Sequence, residues 1–248
     1  MAAHGKKRID QRLADEGLAP SRAKAADLVR RGCVLVSGVP MSKPGALVSN
    51  DDAISLTPGT ASHVSRGALK LMKALDAFGL SPEGRIAIDV GASTGGFTEV
   101  LVDRGAQKVY AVDIGRDQLH ESLRVNPRIV NLEKTDARAL DAQTIPEAVS
   151  AITADVSFIS LTQALPKALA RAAPGAWLAA LIKPQFEAGR EAVGKGGLVR
   201  SDADRERAIA RVRAFLEAES WHVLGVTESP ITGGSGNIEY LIGARNAR

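Results

Sequence analysis

Residues 86–98 read Ile-Ala-Ile-Asp-Val-Gly-Ala-Ser-Thr-Gly-Gly-Phe-Thr. An apolar run from Ile86 to Ile88 ends in Asp89, then Gly91, Gly95 and Gly96 follow, and a helical pattern starts at Phe97. Strand, glycine turn and helix in that order open a nucleotide-binding α/β unit. Gly91 is expected to take a backbone angle that a Cβ forbids, and Gly95 and Gly96 to let the chain approach a ligand closely. The spacing is not G-x-G-x-x-G, because Ser93 stands where the second glycine would be. A strand-end acid beside such a turn suits a ligand with an amino group and no pyrophosphate, a description that S-adenosylmethionine meets. The competing reading is a plain tight turn in an α/β sheet.

Downstream residues supply context. Gln107 to Asp113 is a second strand ending in an acid, the place where an acid binds ribose hydroxyls. Arg128 to Leu132 is a third strand, with Asp136 just beyond it. Asp89, Asp113 and Asp136 would form one rim; alone, each reads as an N-cap or a solvated loop acid. Ala151 to Asp155 makes a fourth strand, Leu161 to Ala173 a helix, and Trp177 to Ile182 an unbroken apolar run suited to a buried parallel strand. That run stops at Lys183-Pro184. Residues 187–200 have the glycine and charge of a mobile loop, and Asp202 to Glu219 of a long helix. Trp221 to Thr227 and Ile238 to Ala244 close the series, with a loop from Ser229 to Gly236 between them. Ahead of it all, Ser65 caps a helix from Arg66 to Phe78 that carries Lys70 in its second turn. Seven strands alternating with helices predict an α/β fold with a doubly wound, mostly parallel sheet.

The chain has 248 residues, enough for one large domain and a small one, and 45% hydrophobic content, enough for a core. Its one cysteine, Cys33, excludes a disulfide framework and makes the cytoplasm the expected compartment. Four scattered histidines have no metal-ligand spacing, so no metal is expected. No apolar run is long enough to span a membrane, and the start lacks a signal core. Charge is uneven. Residues 1–44 carry nine Lys/Arg against four Asp/Glu, whereas the remainder is almost balanced. Such a block points to a polyanion, most often nucleic acid; a solvated basic face is the alternative. In that block residues 8–17 form a short helix. Ser21 caps a second, Arg22 to Arg31, and Cys33 to Val36 is a strand ended by a Ser37-Gly38 turn. Residues 48–56 return as one more strand, and residues 57–63 have linker composition.

Residues 8–44, two short helices followed by G-x-V-x-V-x-G, resemble the S4 RNA-binding domain. The resemblance implies that structured RNA is bound through Lys6, Lys7, Arg8, Arg12, Arg22, Lys24, Arg30 and Arg31. The larger part resembles the TlyA family of RNA 2′-O-methyltransferases and, more distantly, the FtsJ-like enzymes. It does so at residues 65–71, 89–106, 154–161, 181–187 and 236–242. This implies an S4-like domain over residues 1–60 and a Rossmann-like methyltransferase domain over 64–248. It also implies S-adenosylmethionine bound by Asp89, Gly91, Ser93, Thr94, Gly95, Gly96, Phe97, Asp113 and Asp136. A Lys-Asp-Lys-Glu tetrad carries over to Lys70, Asp155, Lys183 and Glu239. The implied substrate is a cytidine ribose in 23S ribosomal RNA, with a 16S site in some members. An ending at Arg248 leans toward the shorter, 23S-only type.

Methyl transfer from a sulfonium is an in-line displacement, so positioning carries much of it. The resemblance makes Lys183 the proton acceptor, with Asp155 and Glu239 holding the ammonium that forms. Without the resemblance, a structural salt bridge explains Lys183 as well. Exocyclic amine methylation is disfavoured, because Asp155-Val156-Ser157-Phe158 lacks the paired prolines of [DNS]-P-P-[FY]. Carbon-5 methylation needs a nucleophilic cysteine, and Cys33 lies in the RNA-binding block. Two other classes stay open: a haemolysin-like membrane-active protein, and an RNA-binding or ribosome-assembly factor without catalysis. The oligomeric state is not legible.

Overall fold

The computed structural model describes residues 5–57, 63–234 and 236–248. The chain divides into two compact units, Met1–Arg66 with Gly234–Gly236, and Gly67–Gly233 with Asn237–Arg248. Most of the residues read as a linker, 58–62, lie outside the described residues.

The smaller unit holds β1 (Lys6–Arg8), α1 (Ile9–Asp15), α2 (Arg22–Arg30), β2 (Val34–Val36), β3 (Val39–Met41), β4 (Leu47–Ser49) and β5 (Ile54–Leu56). The Ser21 hydroxyl caps α2 by accepting from the Lys24 N–H. Strand β2 lies between β3 and β5, and β1 pairs with β4, all antiparallel. Ile9 and Leu13 of α1 meet Ala25, Leu28 and Val29 of α2 over Cys33, Val34 and Val48. The single strand expected over 48–56 is two strands, because Ser49 and Asp52 bond each other across a turn. Strands β1 and β3 are additions: at three residues each, neither has enough length to show alternation.

The larger unit runs α3 (Gly67–Phe78), β6 (Ile86–Val90), α4 (Gly96–Asp103), β7 (Lys108–Asp113), α5 (Glu121–Arg124), β8 (Ile129–Glu133), β9 (Val149–Ala154), α6 (Leu161–Ala164) and α7 (Pro166–Leu169). It continues with β10 (Ala172–Ile182), α8 (Pro184–Glu187), α9 (Asp202–Ala218), β11 (Trp221–Glu228) and β12 (Tyr240–Asn246). The sheet has seven strands in the order β11-β12-β10-β9-β6-β7-β8. Strands β8, β7, β6, β9 and β10 are parallel, and β12 runs antiparallel between β10 and β11. The doubly wound, mostly parallel sheet is therefore present. Alternate residues divide between its faces. Ile88, Val90, Ile152, Leu178 and Ala180 pack with Leu161, Leu165, Val212 and Leu216 from α6 to α9. Asp89 faces the other way, toward Thr98 of α4.

Two expectations need correction. The helix drawn from Leu161 to Ala173 is two short helices, and Ala172 already belongs to β10. Pro166 starts α7 at its first position and has no N–H with which to continue α6. The stretch 187–200 is pinned at both ends. Glu187 is buried, its carboxylate accepting from Ser160 Oγ (2.5 Å) and the Leu161 N–H (2.7 Å). The Asn237 side chain holds Gly197 and Val199.

Helix α3 lies on the sheet through Phe78, whose ring covers Gly225 and Gly243. A Cβ on Gly243 would come within 2.5 Å of that ring and 3.0 Å of Phe78 Cβ. Gly243→Ala should therefore lower the unfolding free energy by about 1–3 kcal/mol, as overpacking does, read as a lower urea midpoint.

Candidate active site

The carboxyl ends of the parallel strands open into a cavity of about 590 Å³. Gly91 and Ser93 line it after β6; Asp113, Ile114 and Gln118 after β7; Thr135 and Asp136 after β8; Asp155 to Ile159 after β9. Backbone geometry builds this mouth. Gly91 sits at φ +83°, and its N–H and that of Ala92 both reach the Val112 carbonyl. A Cβ there would lie 2.7 Å from the Asp155 carbonyl oxygen. Asp113 accepts from the Ser93 N–H (2.8 Å) and the Gly115 N–H (2.7 Å), tying the glycine loop to the β7 end.

The other acids of the rim differ. Asp136 lines the cavity, caps the turn at Arg138 and pairs with that guanidinium, which holds its carboxyl below the usual carboxylate range. Asp89 does not line the cavity. It is fully buried, accepting from Thr98 Oγ1 (2.7 Å) and Thr153 Oγ1 (2.9 Å). Burial, opposed by those two hydroxyls and aided by the charge of Asp155, pushes its carboxyl up to about 6. Thr94, Gly95, Gly96 and Phe97 are also absent from the lining. The close approach expected at Gly95 is made by the Leu119 and Leu123 side chains, which fill the space of its missing Cβ.

The four tetrad residues form two ion pairs. Lys183 Nζ is 2.7 Å from Asp155 Oδ1, and it donates to Ser157 Oγ at 2.8 Å. Lys70 Nζ is 2.6 Å from Glu239 Oε2, both groups buried. Glu239, expected to share the Lys183 ammonium, thus has Lys70 as its ion-pair partner, and it stands just before β12 rather than within it. Gly233 leaves room for it: a Cβ there would lie 2.5 Å from Glu239 Oε1.

Three contributors were missed. Ser157 is one; a hydroxyl two residues past a strand-end acid was its signal. Phe158 is 90% exposed, sits at φ +66° on the cavity lip, and has its ring 5.3 Å from that of Phe186. Glu133 accepts the N–H groups of Gln118 and Leu119; burial opposes them, yet its carboxyl is pulled down to about 2. It thereby fixes the segment that carries Gln118 into the cavity wall.

In the smaller unit the basic residues sort by role. Arg12 gives its guanidinium to the Ser49 and Asp52 carbonyls and to Glu16. Arg31 gives its own to the His63 carbonyl and to Asp27. Lys7 pairs with Asp15 at the surface. Arg8 and Arg22 meet on Asp10. Lys6, Lys24 and Arg30 stand exposed.

Comparison with known proteins agrees with this architecture. The family model for FtsJ-like methyltransferases matches residues 63–246, and that for the S4 domain matches residues 7–54. The chain is 46% identical over 239 residues to the 16S/23S rRNA (cytidine-2′-O)-methyltransferase TlyA of Mycobacterium tuberculosis, covering 96% of this chain and 89% of that one. It is 34% identical to the 23S rRNA (cytidine-2′-O)-methyltransferase TlyA of Campylobacter jejuni, covering 89% and 92%. Among solved structures it is similar to a "putative hemolysin" from Streptococcus thermophilus, with a TM-score of 0.76 and 40% identity, covering 98% and 90%.

Asp89 yields a pH prediction. Its folded-state value lies above the ordinary 3.8, so the fold favours its protonated form. Stability from this group is therefore present below 3.8 and lost as pH rises to about 6, a difference of roughly 3 kcal/mol. Asp89→Asn should remove that step. Urea unfolding of both proteins across the interval should show the variant gaining on the wild type as pH rises.

Proposed function

The chain belongs to the FtsJ-like methyltransferase family, and from that membership we propose that it methylates the ribose 2′-hydroxyl of a cytidine in ribosomal RNA, with S-adenosylmethionine as donor. The observation that carries this is the Lys183–Asp155–Ser157 cluster: Asp155 and Ser157 line the cavity that opens beside Gly91 and hold Lys183, which does not itself line it. When bound, S-adenosylmethionine supplies an electrophilic methyl group. The residues present suit it: Gly91 lets the loop seat against the Asp155 carbonyl at the cavity wall, and Asp113 and Asp136 bring acceptors to that wall. Gly91, Ser93, Asp113 and Asp136 would hold it. Asp89, buried away from the cavity, ties β6 to α4 and β9 through Thr98 and Thr153.

The remaining chemistry belongs to the chain. A ribose hydroxyl becomes a nucleophile as its proton leaves; Lys183 Nζ, after first releasing one ammonium proton to solvent, is the acceptor, next to the cavity-lining Asp155 and Ser157. Asp155 and Ser157 fix that nitrogen, and Asp155 stabilises the ammonium once the proton arrives. Lys70 and Glu239 neutralise one another in a buried place, which leaves Asp155 to serve Lys183. Phe158 offers an exposed aromatic face against which an unstacked cytosine would stack. The smaller unit, with its excess of basic residues, would hold the structured RNA around the target. No helix among the described residues is long and apolar enough to cross a membrane, so no helical span supports the membrane-active alternative.

The deciding experiment compares the 2′-O-methylated nucleotides of rRNA from cells with and without this protein by mass mapping. A cytidine methylated only in its presence is the expected result; identical maps refute the proposal. In a reconstituted assay Lys183→Arg should lose at least about 100-fold in turnover, because arginine keeps the charge but does not release a proton. Near-normal turnover would leave Lys183 an electrostatic role alone. Gly91→Val should abolish S-adenosylmethionine binding by calorimetry, since its side chain would displace the β9 end.

A further inference from the structure

Asp10 is an acid in the most basic part of the chain, and it is buried. Its side chain is 4% exposed, whereas those of Arg8 and Arg22 are 47% and 54% exposed. Its Oδ1 accepts from Arg8 Nε (3.0 Å) and the Gln11 N–H (2.9 Å); its Oδ2 accepts from Arg8 Nη2 (2.7 Å) and Arg22 Nε (3.3 Å). The carboxylate is thus a hub with one guanidinium gripped on two nitrogens and a second held on one. Arg8 is further confined by Gly45, where a Cβ would fall 2.8 Å from its Nη1. The hydrogen bonds from Arg8 outweigh burial and hold the Asp10 carboxyl below its usual range, so it stays ionised. Arg12 and Arg31, by contrast, are largely covered and spend their donors on backbone carbonyls. Among the described basic residues of the smaller unit, the Asp10 pair alone combines a buried carboxylate anchor with half-exposed guanidinium heads.

We propose that Asp10 is the positioning residue of a two-arginine phosphate clamp, and that its negative charge strengthens RNA binding by this unit. The inference rests on the RNA-binding reading of the smaller unit. A guanidinium has five N–H donors in a rigid fork. Two from Arg8 and one from Arg22 are committed to Asp10, which leaves three donors of Arg8 and four of Arg22 not engaged with it. Arginine heads that are already ordered lose less conformational freedom when a phosphate arrives. The repulsion between Asp10 and that phosphate is the opposing effect. It is reduced by the two cations between them and by salt, which screens beyond about 8 Å at physiological ionic strength.

The sign of the outcome is the test. If charge alone mattered, Asp10→Asn would add one unit of positive charge and tighten binding. The clamp predicts the reverse. Asn keeps an acceptor for the Gln11 N–H but loses the charged grip on the arginines. The full chain is titrated with a 23S rRNA transcript at several KCl concentrations. Asp10→Asn should bind about tenfold more weakly, the size of one lost charge-assisted contact. The slope of log affinity against log salt should shrink by about one, and in the methylation assay the loss should appear in KM for RNA more than in kcat. Arg8→Ala and Arg22→Ala should each weaken binding. Added to the Arg8→Ala/Arg22→Ala double variant, Asp10→Asn should change nothing further. Unchanged or tighter binding by Asp10→Asn, with the arginine variants weakened, overturns the clamp. A further loss in the double background overturns it too, since Asp10 would then act by holding the unit together. If neither arginine variant weakens binding, the RNA-binding reading of this surface fails instead.

Discussion

Where β6 and β9 leave the sheet, the chain has no room for a Cβ. Gly91 lies so close to the Asp155 carbonyl that a methyl group would intrude to 2.7 Å, and its φ of +83° is one that L side chains rarely adopt. That contact sets the glycine loop against the residue that anchors Lys183. The glycine loop and the carboxylate that pairs with Lys183 therefore share one backbone junction, fixed by the β6–β9 ladder and the Asp155 N–H to Val90 carbonyl bond. In a displacement reaction a misplacement of about 1 Å can cost 100-fold. A rigid strand junction is a better guarantee of distance than a pair of loops.

The second constraint is electrostatic. Two lysines sit in protein rather than water, each with a carboxylate within 2.7 Å. A buried ion pair adds little net stability, because desolvation offsets the attraction, but breaking it leaves an uncompensated charge. Net stability alone therefore accounts poorly for either pair. Their separation also divides the labour. Lys183 is held by Asp155 and Ser157, which line the cavity, whereas Lys70 and Glu239 are closed on each other.

What the sequence disclosed depended on range. The β6 strand, its glycine turn and the strand-end acids are local patterns, and the parallel sheet follows from their repetition. The apolar run into Lys183-Pro184 announced a buried lysine at a strand end. Asp89 was misplaced because strand alternation, not the loop, sends it to the α4 face, where Thr98 and Thr153 absorb it. The Lys70–Glu239 pair spans 169 residues, and no spacing rule reaches that far. Gly95 looked like ligand space because the leucines that fill it come from a segment more than twenty residues away. The role of Asp10 was hidden by composition: in a charge count it simply subtracted from the basic total.

The insertion of β12 between β10 and β11 has a kinetic side. As the chain leaves the ribosome, β11 emerges with no strand to pair with, since its neighbour has yet to be made. Glu239 arrives only with that same late segment, so Lys70 is a solitary cation for most of synthesis. Closing the sheet and neutralising Lys70 are then one event, of high sequence separation and correspondingly slow. Until it happens, an edge of β10 is open to pairing with other chains, the state in which nascent α/β domains are most prone to aggregate.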